Sequence, residues 1–288
     1  MALFALLIAG SFSFGARASL YIESGALNTL RFFFAVLVLV AVAVATTPRS
    51  QRSDVFRPAA AWRFIILGAL LGFYFVTMFI ALEITHPVST GAVFTLMPLL
   101  ATGFAYFLLR QSARPVVILS LLISGVGAIW VIFRGDIAAI LAFDIGYGEF
   151  IYFFGTLSHA LYAPLVNKFN RGEPMVHFSL WTLTGTFLCI AVYGLPEILA
   201  TQWAQLPTIV WVTIAYLAIF TTAGTISLLQ YALLRIPAAK ATVYIYLTPV
   251  YIIFIEGLAG SGWVSLSVFA GALVIILGLV ILVRAADV

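Results

Sequence analysis

Residues 81–98 read ALEITHPVSTGAVFTLMP, and residues 232–249 read ALLRIPAAKATVYIYLTP. Shifting the chain by 151 positions lays Ala81-Leu82 on Ala232-Leu233 and Met97-Pro98 on Thr248-Pro249. Both stretches share one design: the end of an apolar span, a tight turn holding Pro87 or Pro237, then a span with a proline near its middle. Each is followed by a last span that opens with glycines, Gly125-Val126-Gly127 in one and Gly271 in the other. One design met twice at a shared offset is the signature of an internal repeat.

The composition says what solvent that repeat lives in. Of 288 residues, 64% are apolar and 8% are charged, with a mean hydropathy of +1.17. Soluble domains carry about 25% charged residues, so this chain cannot cover a water-facing surface. Lipid is the alternative, and a spanning helix needs about 20 apolar residues. Ten segments qualify, roughly 2–22, 27–46, 61–82, 88–109, 115–133, 148–166, 175–194, 208–234, 238–256 and 263–283. They are continuously apolar and about twice the length of a barrel strand, so they read as helices. The first is read as a span, not a cleaved leader. Ala16-Arg17-Ala18 has the small-x-small form, but no positive charge precedes the apolar run, and hydrophobicity continues through Ser19-Leu20-Tyr21-Ile22. The single cysteine, Cys189, excludes a disulfide within the chain and a cysteine metal cluster.

The net charge of +4 is placed by topology and implies no nucleic-acid partner. Even-numbered loops hold Arg49, Arg52, Arg57, Arg110, Arg114, Lys168, Arg171, Arg235 and Lys240, with Arg63 just inside span 3 and Arg284 after span 10. Odd loops hold Arg134 alone among cations, beside Glu23, Glu83, Asp136, Asp144, Glu149, Glu197 and Glu256. Positive loops stay cytoplasmic, so both termini are expected in the cytoplasm. The expected fold is an all-α integral membrane protein of ten transmembrane helices in two five-helix repeats. Residues 1–133 form the first, 134–147 a periplasmic connector, and 148–288 the second. Five is odd, so the second repeat is inverted, an architecture that places a transported solute near the midplane between the halves.

Several of these features resemble a known family. Ala9-Gly10-Ser11-Phe12-Ser13 in span 1 stands where that family often reads Trp-Gly-Ser-x-Phe. Arg31-Phe32 matches its Arg-Phe start of span 2. Pro87-Val88-Ser89-Thr90-Gly91-Ala92 through Pro98, and Pro237 through Thr248-Pro249, match its turns and mid-helix prolines. In order and spacing the whole chain resembles the drug/metabolite transporter superfamily, in its ten-helix EamA-type branch. It departs at Ala9, where tryptophan is usual, and at Arg110-Gln111 and Ala259-Gly260, where the family often reads Gly-Glu. The resemblance implies a carrier for a small metabolite, with no cofactor; members move amino acids, nucleotide-like metabolites, vitamins or cationic drugs.

Ionisable groups within a bilayer are costly, and each is a functional candidate. All ten acids fall in loops or within about a turn of a span end, which disfavours coupling through a buried carboxylate. On span 6, Tyr152, Thr156, His159 and Ala163 share a helical face with Tyr162 beside them. His159 lies about 16 Å along the span at 1.5 Å per residue, near the centre of a core about 30 Å thick. It is the candidate for proton coupling or for hydrogen bonding a solute; the plainer alternative is a neutral imidazole bridging helices. His159 and Tyr162 on span 6, Tyr74 on span 3, Phe94 on span 4, and Thr225 and Gln230 on span 8 are expected to line the cavity. So are Ser13 and Arg17 on span 1, and Tyr244 and Thr248 below Lys240 on span 9. Arg31 reads as a structural tie to neighbouring helix ends. Pro98 and Pro249 are gating or kink candidates, because proline removes a backbone hydrogen bond. Gly68 and Gly72 form a close-packing face.

No HExxH or Walker lysine loop is present, and the three histidines are scattered, so no catalytic residue or metal site is expected. The expected function is a secondary transporter in a bacterial-type inner membrane. It would move a small, partly apolar organic metabolite, an amino acid or similar, by alternating access, as an exporter. The alternatives are an uptake carrier for a vitamin- or cofactor-like solute and an intramembrane enzyme. The orientation is checked by reporter fusions. Alkaline phosphatase placed within 134–147 should be active and placed after span 10 inactive, whereas the reverse pattern inverts the topology.

Overall fold

A computed structural model describes residues 2–142, 145–236 and 238–286, in which all regular structure is helical. Asp144 and Pro237, expected in an outer loop and in the turn before span 9, lie outside the described residues. The long helices fall on the predicted segments in order. They are α1 (Ala2–Ala18), α2 (Ser24–Thr46), α3 (Trp62–Ile84), α4 (Pro87–Leu109), α5 (Pro115–Ile132), α6 (Tyr147–Phe169), α7 (Met175–Ala200), α8 (Thr208–Leu233), α9 (Lys240–Leu258) and α10 (Leu266–Ala286).

Among the described residues, eight of these are long and apolar enough to cross a membrane. The other two fall short for different reasons. Helix α1 is apolar but only 17 residues long, while α6 has 23 residues but is the most polar of the long helices. Its polar side chains Tyr152, Thr156, His159 and Tyr162 are buried, so the polarity faces protein and not lipid. Large apolar residues such as Phe107, Val126, Val192 and Leu266 stand on the outside, as a lipid-facing surface requires.

Two helices are interrupted just before a proline. Helix α4 breaks at Thr95 and Leu96 and restarts at Met97-Pro98. In α9, Val243–Leu247 is 3₁₀ and the α-helix resumes at Thr248-Pro249. Proline is tolerated in a first helical turn, where its missing N–H is an orphan anyway, so each proline restarts a helix after an irregular turn. Helix α8 has a third irregularity, a π-helical segment over Leu217–Gly224.

Glycines set the closest helix approaches. A Cβ on Gly68 would collide with the backbone of Gly185 and Thr186 on α7, and one on Gly185 would meet the Phe64 carbonyl of α3. Gly72 packs on Ile190 of the same helix, so the Gly68-xxx-Gly72 face joins α3 to α7. Gly25 of α2 meets Gly194 of α7, and Gly127 of α5 meets Gly271 of α10. The Glu197 carboxylate at the end of α7 accepts the Gly25 and Ala26 N–H groups at 2.7 and 3.0 Å, an anion at a helix N-terminus.

At the opposite end of α3, the buried Arg63 guanidinium donates to the carbonyls of Ala59, Ala60 and Phe169 and to the Glu173 carboxylate. It therefore caps the last turn of α6 and pins the loop that follows. Burial raises the Glu173 carboxyl, but hydrogen bonds from Arg63 and from the Arg171 N–H outweigh that and hold it below its ordinary value. A lowered carboxyl stabilises the fold above its ordinary value of 4.5 and loses that contribution as pH falls through the folded-state value. Glu173→Gln should therefore lower the thermal midpoint in detergent at neutral pH. The gap from the parent should close below pH 4.5; a gap that persists there would mean that charge is not its source.

Candidate functional site

Halfway along the bundle, α1, α2, α3, α4, α6 and α8 enclose a cavity of about 20 Å³, room for about one water molecule. Its wall is mostly apolar, with Phe4, Ile8, Leu71, Phe75, Phe94 and Ile226. The polar groups that reach it are Ser11, Arg31, Tyr74, His159, Thr221 and Thr225. None of the lining residues is an acid.

Arg31 is the largest polar side chain with no exposed surface. Its Nε donates to Thr222 Oγ1 at 2.6 Å and its Nη2 to Thr221 Oγ1 at 3.1 Å, while Nη1 is buried without a partner. The guanidinium lies 4.1 Å from the Phe75 ring centroid, within cation–π range. Its two hydroxyl acceptors are adjacent in sequence. On an α-helix neighbours point about 100° apart; the wider π turn of α8 narrows that angle, so both hydroxyls reach one guanidinium. π segments are frequent at functional sites.

Opposite sits an aromatic box. The His159 ring lies 4.3 Å from the Tyr74 ring and stacks on Phe94 at 5.8 Å and 11°. Tyr152 donates to the Tyr74 hydroxyl at 3.1 Å. His159 Nδ1 is buried without a hydrogen-bond partner. Tyr162, also beside His159, accepts at its hydroxyl from Gln230 Nε2 at 2.7 Å, and Gln230 Oε1 accepts from Ser179. Tyr162 and Gln230 thus satisfy each other behind the wall.

Of the residues singled out in the sequence, Tyr74, Phe94, His159 and Thr225 line the cavity. Arg17 lies elsewhere, donating to the Ser13 carbonyl at 2.9 Å and pairing with Glu256 at 3.3 Å. Ser13 and Thr248 are fully buried with unpartnered hydroxyls, and Tyr244 is half-buried on the 3₁₀ turn of α9. Pro98 and Pro249 are buried at the restarts of α4 and α9, and Gly68 and Gly72 are at the α3–α7 contact. Helix α9 contributes nothing to the wall and α2 contributes Arg31.

Sequence reading missed Arg31 as part of a cavity. It took span 2 to begin at residue 27, whereas the helix begins at Ser24. Arg31 therefore sits two turns in, too deep for a tie between helix ends. The available signal was a cation in an apolar span with no acid on the same face.

The bundle is tied at both ends. On the side predicted to face outward, the Arg17–Glu256 pair joins α1 to α9. On the other side, Asn167 Nδ2 of α6 donates to the Leu233 carbonyl of α8 at 2.5 Å. A wider cavity of about 730 Å³ opens among Glu23, Pro196, Glu197, Gln202 and Gln205, at the C-terminal ends of α1 and α7. Among the described residues, no group of three or more histidines, cysteines or acids is placed to hold a metal ion.

Comparison with known proteins agrees with this architecture. The model of the EamA-like transporter family matches residues 1–133 and again residues 146–284. The chain is 26% identical over 251 residues to an uncharacterized transporter, YyaM, of Bacillus subtilis (strain 168), covering 86% of this chain and 80% of that protein. A solved crystal structure shares the fold, with a TM-score of 0.75 at 18% identity over 99% of this chain and 96% of that one. Two matches of one transporter family, together spanning nearly the whole helical bundle, establish that this multi-pass membrane protein belongs to the EamA-like transporter family.

Proposed function

We propose that the chain is a secondary transporter that exports a small, partly apolar organic metabolite, an amino acid or similar, across a bacterial-type inner membrane by alternating access. The observation that carries this reading is the closed central cavity, where one cation, one imidazole and several hydroxyls meet inside an apolar wall. Small-molecule sites have this make-up, apolar walls with a few placed polar groups. An inert scaffold has no need of unpartnered polar atoms there.

In this reading all ten helices span, with both termini cytoplasmic, as the alternation of positive loops supports. Residues 1–133 and 148–288 are the two inverted halves, joined by 134–147. The cavity lies where their helices meet, with α1 to α4 from one half and α6 and α8 from the other. Transport requires the bundle to open at one end at a time, breaking the Arg17–Glu256 tie on one side or the Asn167–Leu233 tie on the other. The irregular turns before Pro98 and Pro249 are where α4 and α9 have backbone groups free of the regular helical ladder.

His159 is the group that would link transport to protons. The titratable groups that share its surroundings are Arg31 and Tyr74 in the wall and Tyr152 and Tyr162 on its own helix. No carboxylate lines the cavity to take the role. Proteoliposomes containing the purified protein should release a loaded solute faster than empty vesicles. His159→Gln keeps a hydrogen-bonding side chain but cannot titrate, so it should retain transport and flatten its pH dependence between about pH 5 and 7. An unaltered pH profile in that variant removes His159 from the coupling.

A further inference from the structure

We propose that the central cavity takes a solute bearing a single carboxylate on an apolar body, with Arg31 as its counter-ion. This inference rests on the transporter reading above.

The argument begins with charge. Arg31 has no exposed surface, and a cation in a low-dielectric interior is costly unless an anion pairs with it. The protein supplies none. Thr221 and Thr222 offer neutral hydroxyl oxygens, and no acid lines the cavity. Glu256 pairs with Arg17 and Glu173 with Arg63, neither of them at this wall. Phe75 attracts the guanidinium, but a cation–π contact does not neutralise a charge. A missing anion is what the site lacks, and the solute is what can bring it.

The same geometry limits that anion to one charge. The two threonine hydroxyls occupy Nε and Nη2, leaving Nη1 as the unpartnered donor. A carboxylate brings one negative charge to one positive charge. A phosphate dianion would leave a second charge buried and unpaired, and a cationic solute would meet repulsion. His159 lines the same wall, and its buried Nδ1 has no partner, so it is a second polar group that a solute can engage once the wall parts. Apart from the hydroxyls of Ser11, Tyr74, Thr221 and Thr225, the rest of the wall is apolar, with Phe4, Ile8, Leu71, Phe75, Phe94, Ile226 and Leu229, so the body of the solute is mainly apolar too. The cavity holds about 20 Å³ in this closed form, so binding must be accompanied by parting of the wall.

The test uses the full chain in lipid nanodiscs and matched probes: phenylacetate, phenylacetamide and phenethylamine, with the isovalerate series alongside. The acid should bind about tenfold or more tighter than its amide, the expected worth of a hydrogen bond to a charged group, and the amine should not bind. In Arg31→Met that preference should vanish. An amide that binds as well as the acid in the parent, or an acid preference that survives in folded Arg31→Met, overturns the proposal. Should Arg31→Met not fold, Arg31→Gln, which removes the charge but keeps donors, carries the test. Weaker acid binding with amide binding unchanged supports the pairing, and unaltered acid binding overturns it. Proteoliposomes that move amides or amines but no acid would overturn this inference and leave the transporter reading standing. Vesicles that move no acid, amide or amine, and none of a panel of amino acids, would overturn the transporter reading itself.

Discussion

A guanidinium with no exposed surface, in a bundle with no acid beside it, governs how the middle of this protein is built. The charge of Arg31 needs acceptors, and it finds two on consecutive residues of α8. That pairing is eased by the π segment of Leu217–Gly224, whose wider turn brings the directions of the two threonines closer together. It requires α2 to lie against α8, with its entry fixed by the Gly25–Gly194 approach and by the Glu197 cap. The aromatic face over the guanidinium comes from Phe75 on α3, a helix whose position depends on the Gly68–Gly185 contact with α7. Backbone approaches far from the cavity thus determine where its one cation sits.

The site is not open in this structure. A stacked His159–Phe94 pair and a volume near one water describe a closed enclosure with ties across both ends of the bundle. These ties are few and polar, the kind that can be exchanged for water when an end opens. By contrast, the α5–α10 contact joins Gly127 to Gly271 through backbone and adds a Ser124 hydroxyl donating to the Ile275 carbonyl at 3.2 Å. It lies away from the cavity and has the close fit of a fixed support.

Much of this was legible in the sequence because hydropathy, charge alternation and helical spacing are direct physical signals. Segment 148–166 was legible as an apolar run although α6 is the most polar of the long helices, and the alternation of positive loops supported the count independently. Helical spacing brought out Tyr74 and His159, because α3 and α6 are regular through those positions, whereas Thr225 stood out only as a hydroxyl in an apolar span and starts the turn after the π segment. It misled on α9. Tyr244 and Thr248 share a face only at 3.6 residues per turn, and Val243–Leu247 is 3₁₀, with three residues per turn. Gln230 and Tyr162 carry the polarity of a site, yet they spend it on each other. Arg31 was hidden by a boundary taken three residues late, which made a mid-bundle charge resemble one near a helix end.

The central claim is that the enclosure around Arg31 opens to water alternately from the two sides of the membrane. The chain has a single cysteine, Cys189, so a Cys189→Ser background gives a clean reporter. In that background Ser11→Cys places a thiol on the cavity wall with little change of shape. Sided labelling with a membrane-impermeant thiol reagent, in intact cells and in inverted vesicles, is then the direct measurement. The account predicts labelling from both sides, slowed from each by a transported solute. A thiol that stays unreactive from either side while the protein transports would contradict it.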